Sequence, residues 1–355
     1  MSDISIRKQG RTGRITLTRP KALNALTYKM CLAIDAALKD WAEDDTVAMI
    51  LLDAEGEKAF CAGGDIAEMY ATGMAGNYAY GRRFWQDEYR MNARLFEFPK
   101  PVASFLQGFT MGGGVGIGCH GSHRVVCESS RISMPECGIG LIPDVGGSLI
   151  LGRAPGRLGE YLGTTGTRMG PADAILAGFA DYFIPAAKWP KLIAALEEAG
   201  DWTLIDAAAE TSPAGNLTAL HDEIDTHFAG ETLGDILRSL RHAHGDFARE
   251  TLAVLERNSP LAMACTVEMA HRLNTDSTIR QALGMEYRFT HRAMEHSDFL
   301  EGIRAAIIDK DRNPKWRHAL DEVNSVMVSQ MLLPLGDEAL TFDDEQDELA
   351  GEDMP

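Results

Sequence analysis

The chain has 355 residues, 45% of them hydrophobic and 24% charged, enough for one large globular core with an appendage. With 34 Lys+Arg against 52 Asp+Glu the formal charge is −18, which argues against bulk attraction to nucleic acid or an anionic membrane. Six cysteines, at 31, 61, 119, 127, 137 and 265, show no C-x-x-C spacing and sit among apolar residues, so they read as reduced core thiols. The first twenty residues carry no apolar signal core and too mixed a charge for a transit peptide. No apolar run reaches the length of a membrane span. These features predict a cytoplasmic protein.

Residues 1–18 hold two short alternating runs, including RITLT, and predict a β-hairpin. A helical stretch follows near 27–43, then a buried strand, AMILLDA (48–54), that ends at a Glu-Gly turn. KAFCAGGDIAEMY (58–70) begins extended, passes two glycines and continues as helix. KPVASFLQG (100–108) reads as strand, and MGGGVGIGCHG (111–121) is glycine-rich with helical-period apolar residues. HRVVCES (123–129) and RISM (131–134) are short strands; 156–185 reads as helix, turn, helix, strand. The recurring strand-strand-helix order predicts an α/β fold. From 187 onward the pattern is helical, strongest at 187–200, 231–257, 260–274 and 278–296. The polar segment 205–230 reads as the loosest joint. The expected organisation is a core at 1–200, a helical region at 201–320 and an acidic, mobile tail at 336–355.

Two acids stand out. In PECGIGLIPDVGG (135–147), Glu136 and Asp144 each follow a proline, eight positions apart, in a stretch otherwise apolar or glycine. Helix capping would explain either acid alone. The glycines nearby suggest more. CAGGD (61–65) and FTMGGG (109–114) both lie at strand-to-helix junctions, where glycine admits a ligand close to the backbone and free N–H groups face it. One amide from each junction would make an oxyanion hole. GIGCHG (116–121) also matches G-x-G-x-x-G with Glu136 twenty residues on, but strand 100–108 ends well before Gly116, so a dinucleotide turn is disfavoured. His120 and His123 lack partners for a metal site. Cys119 beside His120 reads as a structural thiol, because adjacent helical positions point apart.

RPKALNAL (19–26), KAFCAGGDI (58–66), MGGGVG (111–116) and MPECGIGLIPDVGG (134–147), in this order, resemble the crotonase (enoyl-CoA hydratase/isomerase) superfamily. The Pro-Glu and Pro-Asp-Val-Gly-Gly pair, EYRMN (88–92) and IDKDRNPKW (308–316) sharpen the resemblance toward the 3-hydroxyisobutyryl-CoA hydrolase branch. The resemblance implies a crotonase-like spiral of repeated ββα units with a C-terminal helical region, often assembled as a homotrimer. It implies an acyl-CoA substrate whose thioester carbonyl lies between the amides of Gly64 and Gly113, with Glu136 and Asp144 as the acting carboxylates. Glu88 would contact the acyl group; Leu23, Ala62, Asp65 and Ile66 would follow the pantetheine and adenine; Gly112, Pro135 and Ile139 would also bind substrate. Lys21 and Lys310 are candidates for CoA phosphates. No metal or separate cofactor is required.

One departure separates activities within that family. Hydratases carry a glutamate shortly after the glycine triplet, and this chain has Gly116 there. Adding water across a C=C bond needs two acid/base groups around the water, and one is missing. The expected reaction is therefore hydrolysis of a β-hydroxyacyl-CoA thioester, most specifically 3-hydroxyisobutyryl-CoA in valine breakdown. A hydratase or isomerase on the same scaffold is the alternative, and a non-enzymatic binding scaffold the third.

Overall fold

The computed structural model describes residues 3–342. Its strands are β1 (Ile4–Gln9), β2 (Thr12–Leu17), β3 (Met49–Ala54), β4 (Ala59–Cys61), β5 (Val102–Leu106), β6 (Phe109–Met111), β7 (His123–Val126), β8 (Arg131–Ser133) and β9 (Tyr182–Phe183). Among the described residues they form two sheets, a six-stranded one ordered β1-β2-β3-β5-β7-β9 and a three-stranded one ordered β4-β6-β8. Only the β1–β2 hairpin is antiparallel. After the hairpin, alternate strands go to alternate sheets, which is the expected strand-strand-helix repeat. β3 and β5 read as continuous apolar runs because they are covered on both faces.

The helices that frame the site are α1 (Tyr28–Ala42), α2 (Ala67–Met74), α3 (Ala79–Phe96), α4 (Gly113–Gly118), α5 (Gly147–Gly152) and α6 (Leu158–Thr165). Local chemistry sets several starts. Thr27 caps α1 by accepting the Met30 N–H, and Ser259 with Pro260 opens Pro260–Arg272. Thr278 and Gln281 form a reciprocal capping box ahead of Ile279–His296. One hydrophobic core runs from Ile15 in β2 to Phe342, joining Met134 and Leu149 to Met263 and Tyr287 of the helical region. A smaller cluster under the six-stranded sheet packs Phe105 on Trp189.

Three expectations need correction. The polar segment 205–230 is not loose: it carries helix Leu217–His227, with Leu217 and Ile224 buried one face-repeat apart and the Leu217 N–H held by Asp173. Leu220 and the buried Phe228 extend its apolar stripe, which the intervening Thr and Asp residues mask in the sequence. The helical stretch 231–257 is two helices, Leu233–His242 and Asp246–Leu255, broken at Gly245. The tail drawn from 336 loses its first seven residues to the fold, because Leu340 and Phe342 are buried and Arg280 stacks over the Phe342 ring. Residues 343–355 lie outside the described residues.

Candidate active site

A cavity of about 250 Å³ opens between the two glycine junctions, α3 and the loop 135–145. Its lining includes Ala62, Gly64, Ile66, Glu88, Gly112, Gly113, Pro135, Glu136, Ile139 and Asp144. Ten of the twelve residues chosen from sequence therefore meet in one place. Leu23 and Asp65 do not line it: the Leu23 carbonyl accepts the Ala62 N–H, and Asp65 pairs with Arg19 at 3.0 Å. Lys21 and Lys310 are exposed and also outside the lining.

The glycines are used for close approach. A parallel bridge between Leu26 and Gly64 uses the N–H groups of Leu26 and Asp65, so the alternating Gly64 N–H faces away from that bridge. Gly113 opens α4, where a first-turn N–H has no partner within the helix. A β-carbon on Gly113 would stand 3.3 Å from the Gly64 nitrogen and 3.2 Å from Glu88 Oε1. Gly112 has φ +48° and ψ −120°, and a β-carbon there would lie 2.6 Å from Glu136 Oε1. The two junctions thus meet edge to edge beneath the carboxylates.

Glu136 starts a short 3-10 turn and is buried; its Oε2 has no hydrogen-bond partner among the described residues. Burial, and then Asp144 nearby, push its carboxyl well above the usual range. Asp144 is also buried and is pushed up to about 7 by burial, against the hydroxyl of Tyr89, which donates to its Oδ2 at 2.8 Å. Burial and Asp144 likewise raise Glu88, an acid that could have been a solvated helical residue but is 5% exposed. Buried close together without a paired cation, these acids disfavour one another's charged forms.

Other elements of the cavity were absent from the sequence reading, which assigned Glu88 but no secondary structure over 79–96. Phe84 and Trp85 line it from α3, and Phe299 and Ile307 line it from the helical region, with Trp85 and Phe299 rings 5.5 Å apart. Glu286 was missed altogether. It is fully buried on helix Ile279–His296, and burial, with Asp144 adding to it, pushes it up to about 8. Both α3 and Ile279–His296 place acids on their apolar stripes, Glu88 between Trp85 and Asn92 and Glu286 between Leu283 and Thr290. An acid at i+3 or i+4 from core residues is the signal that would have found them.

A profile of the enoyl-CoA hydratase/isomerase family matches residues 12–332. The chain belongs to this family. Family relatives include the mitochondrial 3-hydroxyisobutyryl-CoA hydrolases of Gallus gallus and Homo sapiens, 35% and 36% identical over 96% of this chain and 91% of each relative. A family member of solved structure from Rhodobacter sphaeroides 2.4.1, described as an enoyl-CoA hydratase, is 58% identical with a TM-score of 0.93, covering 96% of this chain and 100% of that one. Another, described as a carnitinyl-CoA dehydratase from Mycobacterium thermoresistibile, is 39% identical with a TM-score of 0.92 over 97% of this chain and 100% of that one. The hydratase glutamate of the family has no room at its usual place here: a β-carbon on Gly116 would be 2.8 Å from both Asn92 Nδ2 and Val145 Cβ.

The six cysteines are free and buried, and burial pushes Cys119 up to about 12, as suits a structural thiol. No group of three or more metal-ligating side chains occurs among the described residues. Nor does any helix among them have the length and apolarity to cross a membrane.

Proposed function

We propose that this chain hydrolyses a β-hydroxyacyl-CoA thioester, with 3-hydroxyisobutyryl-CoA, an intermediate of valine breakdown, as its substrate. The observation that carries the reading is Glu136: a buried carboxylate with one unpartnered oxygen, set against Gly112 and next to Asp144. The thioester carbonyl oxygen accepts the N–H groups of Gly64 and Gly113, which stabilise the negative charge that grows there during attack. Glu136 drives that attack, either as nucleophile or by taking a proton from water. The C–S bond breaks, CoA leaves as a thiolate of ordinary thiol acidity, and water supplies the second oxygen of the acid product.

Asp144 recognises the substrate β-hydroxyl. Tyr89 already donates to Oδ2, which leaves Oδ1 to accept the hydroxyl hydrogen. Pocket walls of Trp85, Leu141, Val145 and Phe299 suit the short branched acyl chain. The hydrolase names of the relatives at 35–36% identity support the thioester chemistry. Free thiol released from 3-hydroxyisobutyryl-CoA by the wild type, and slowed by about 100-fold or more, to a residual rate, in Glu136→Gln and Asp144→Asn while both remain folded, is the expected result. Full turnover in both variants would refute the assignment. A hydratase reading is favoured by the descriptions of the two solved relatives, and it predicts loss of enoyl absorbance with crotonyl-CoA. The crowding at Gly116 opposes it.

A further inference from the structure

We propose that Glu286 is a positioning residue for Asp144, acting through the peptide unit that joins Val145 to Gly146. The inference rests on the hydrolase reading above and assigns a role to a residue from the helical region. Val145 has φ +54° and Gly146 φ +80°, so the turn directly after Asp144 runs through two consecutive left-handed residues. A β-branched residue in that conformation is strained and persists only where its surroundings fix it. Two contacts fix it here. The Val145 carbonyl accepts the His120 Nε2–H at 2.7 Å, and the Gly146 N–H of the same peptide group donates to Glu286 Oε2 at 2.9 Å.

The clamp extends along the chain. Glu286 Oε1 accepts the Ser148 N–H at 3.2 Å and also the Ser148 hydroxyl. One turn further on the same helix, Thr290 shares the hydroxyl of Tyr89, whose other contact is Asp144 Oδ2. The helix Ile279–His296 therefore holds the backbone after Asp144 through Glu286 and its side chain through Thr290 and Tyr89. Glu286 is fully buried and has no cationic partner among the described residues, so its place is fixed by these donors. It lies outside the cavity lining and touches no substrate position.

Glu286→Gln tests this with almost no change of volume. The assay runs above pH 8, where Glu286 is ionised and both its oxygens accept from peptide N–H groups, so either orientation of a glutamine turns its NH2 against one of them. Thiol release by the wild type is measured first; its absence overturns the hydrolase reading and not the geometry of the clamp. Given wild-type turnover, Glu286→Gln is expected to lower kcat 10- to 100-fold with KM within threefold. The double variant Glu286→Gln/Asp144→Asn is expected to be no slower than Asp144→Asn alone, because Glu286 works through Asp144. Unchanged kcat, or losses that multiply in the double variant, would overturn the proposal. Should Glu286→Gln not fold, Ser148→Ala carries the test. A threefold or greater loss of kcat at constant KM supports the clamp, and wild-type kcat refutes it.

Discussion

Asp144→Asn should change how stability depends on pH, in a direction opposite to that of most carboxylate variants. The carboxyl of Asp144 lies at about 7 in the folded protein because burial disfavours its charge, against 3.8 for the ordinary group. Below 3.8 it is protonated folded and unfolded alike, and contributes nothing to the pH dependence. Between 3.8 and about 7 the folded protein keeps a proton that the unfolded chain releases, so stability falls as pH rises. Above about 7 the full penalty applies, and the interval corresponds to ~4 kcal/mol. Asparagine removes that penalty and still accepts the Tyr89 hydroxyl, although its NH2 lacks a partner, at a cost of about 1–3 kcal/mol. The unpartnered amide costs the same at every pH, so the difference between variant and wild type isolates the titration. Urea unfolding at pH 4 and pH 8 should show the stability of Asp144→Asn relative to wild type rising by about 4 kcal/mol. Parallel stability curves would mean that Asp144 is not held in a desolvated site.

Further outcomes follow from the same geometry. The turnover rate should fall on acidification while the pH is still above the range of ordinary carboxylates, because burial raises Glu136 and the attacking carboxylate must be ionised. Tyr89→Phe removes a donor that holds Asp144 down, so the acid limb of the pH–rate profile should move to higher pH and kcat fall roughly tenfold. Gly112→Ala places a methyl 2.6 Å from Glu136 Oε1 at φ +48°; thiol release should drop by about 100-fold or more, with about 1–3 kcal/mol of stability lost to strain. Gly116→Glu should not create hydratase activity towards crotonyl-CoA, because Asn92 and Val145 occupy the space, and a destabilised protein is the expected product.

The site was legible in the sequence where the backbone dictates composition. Gly112 and Gly113 have to be small because Glu136, Glu88 and Gly64 crowd them, so their tripeptide run marks the cavity in one dimension. The Pro-Glu and Pro-Asp pairs announced the acids for a related reason: an uncharged surrounding is what makes an isolated carboxylate conspicuous. Glu88 and Glu286 sit instead in Arg-rich helices that also carry solvent-facing acids, where only the i+3/i+4 phase separates a buried acid from a solvated one. The walls Phe299 and Ile307 come from residues more than 150 positions after Glu136, and such long-range closure leaves no local trace. The motif 308–316 proved to be largely a brace. Arg304 is wrapped by Glu301, Asp309 and Asp311, and Trp316 donates to the Arg257 carbonyl.

On the proposed function, a carboxylate pair in a buried pocket reads a β-hydroxyl and cleaves the neighbouring thioester. Thiol release across matched acyl-CoAs, isobutyryl-CoA against 3-hydroxyisobutyryl-CoA, tests it most directly. Asp144 left without its hydroxyl partner should lower kcat/KM for the deoxy substrate by about 1,000-fold or more. Equal kcat/KM for the two, or consumption of an enoyl double bond without any free thiol, would contradict it.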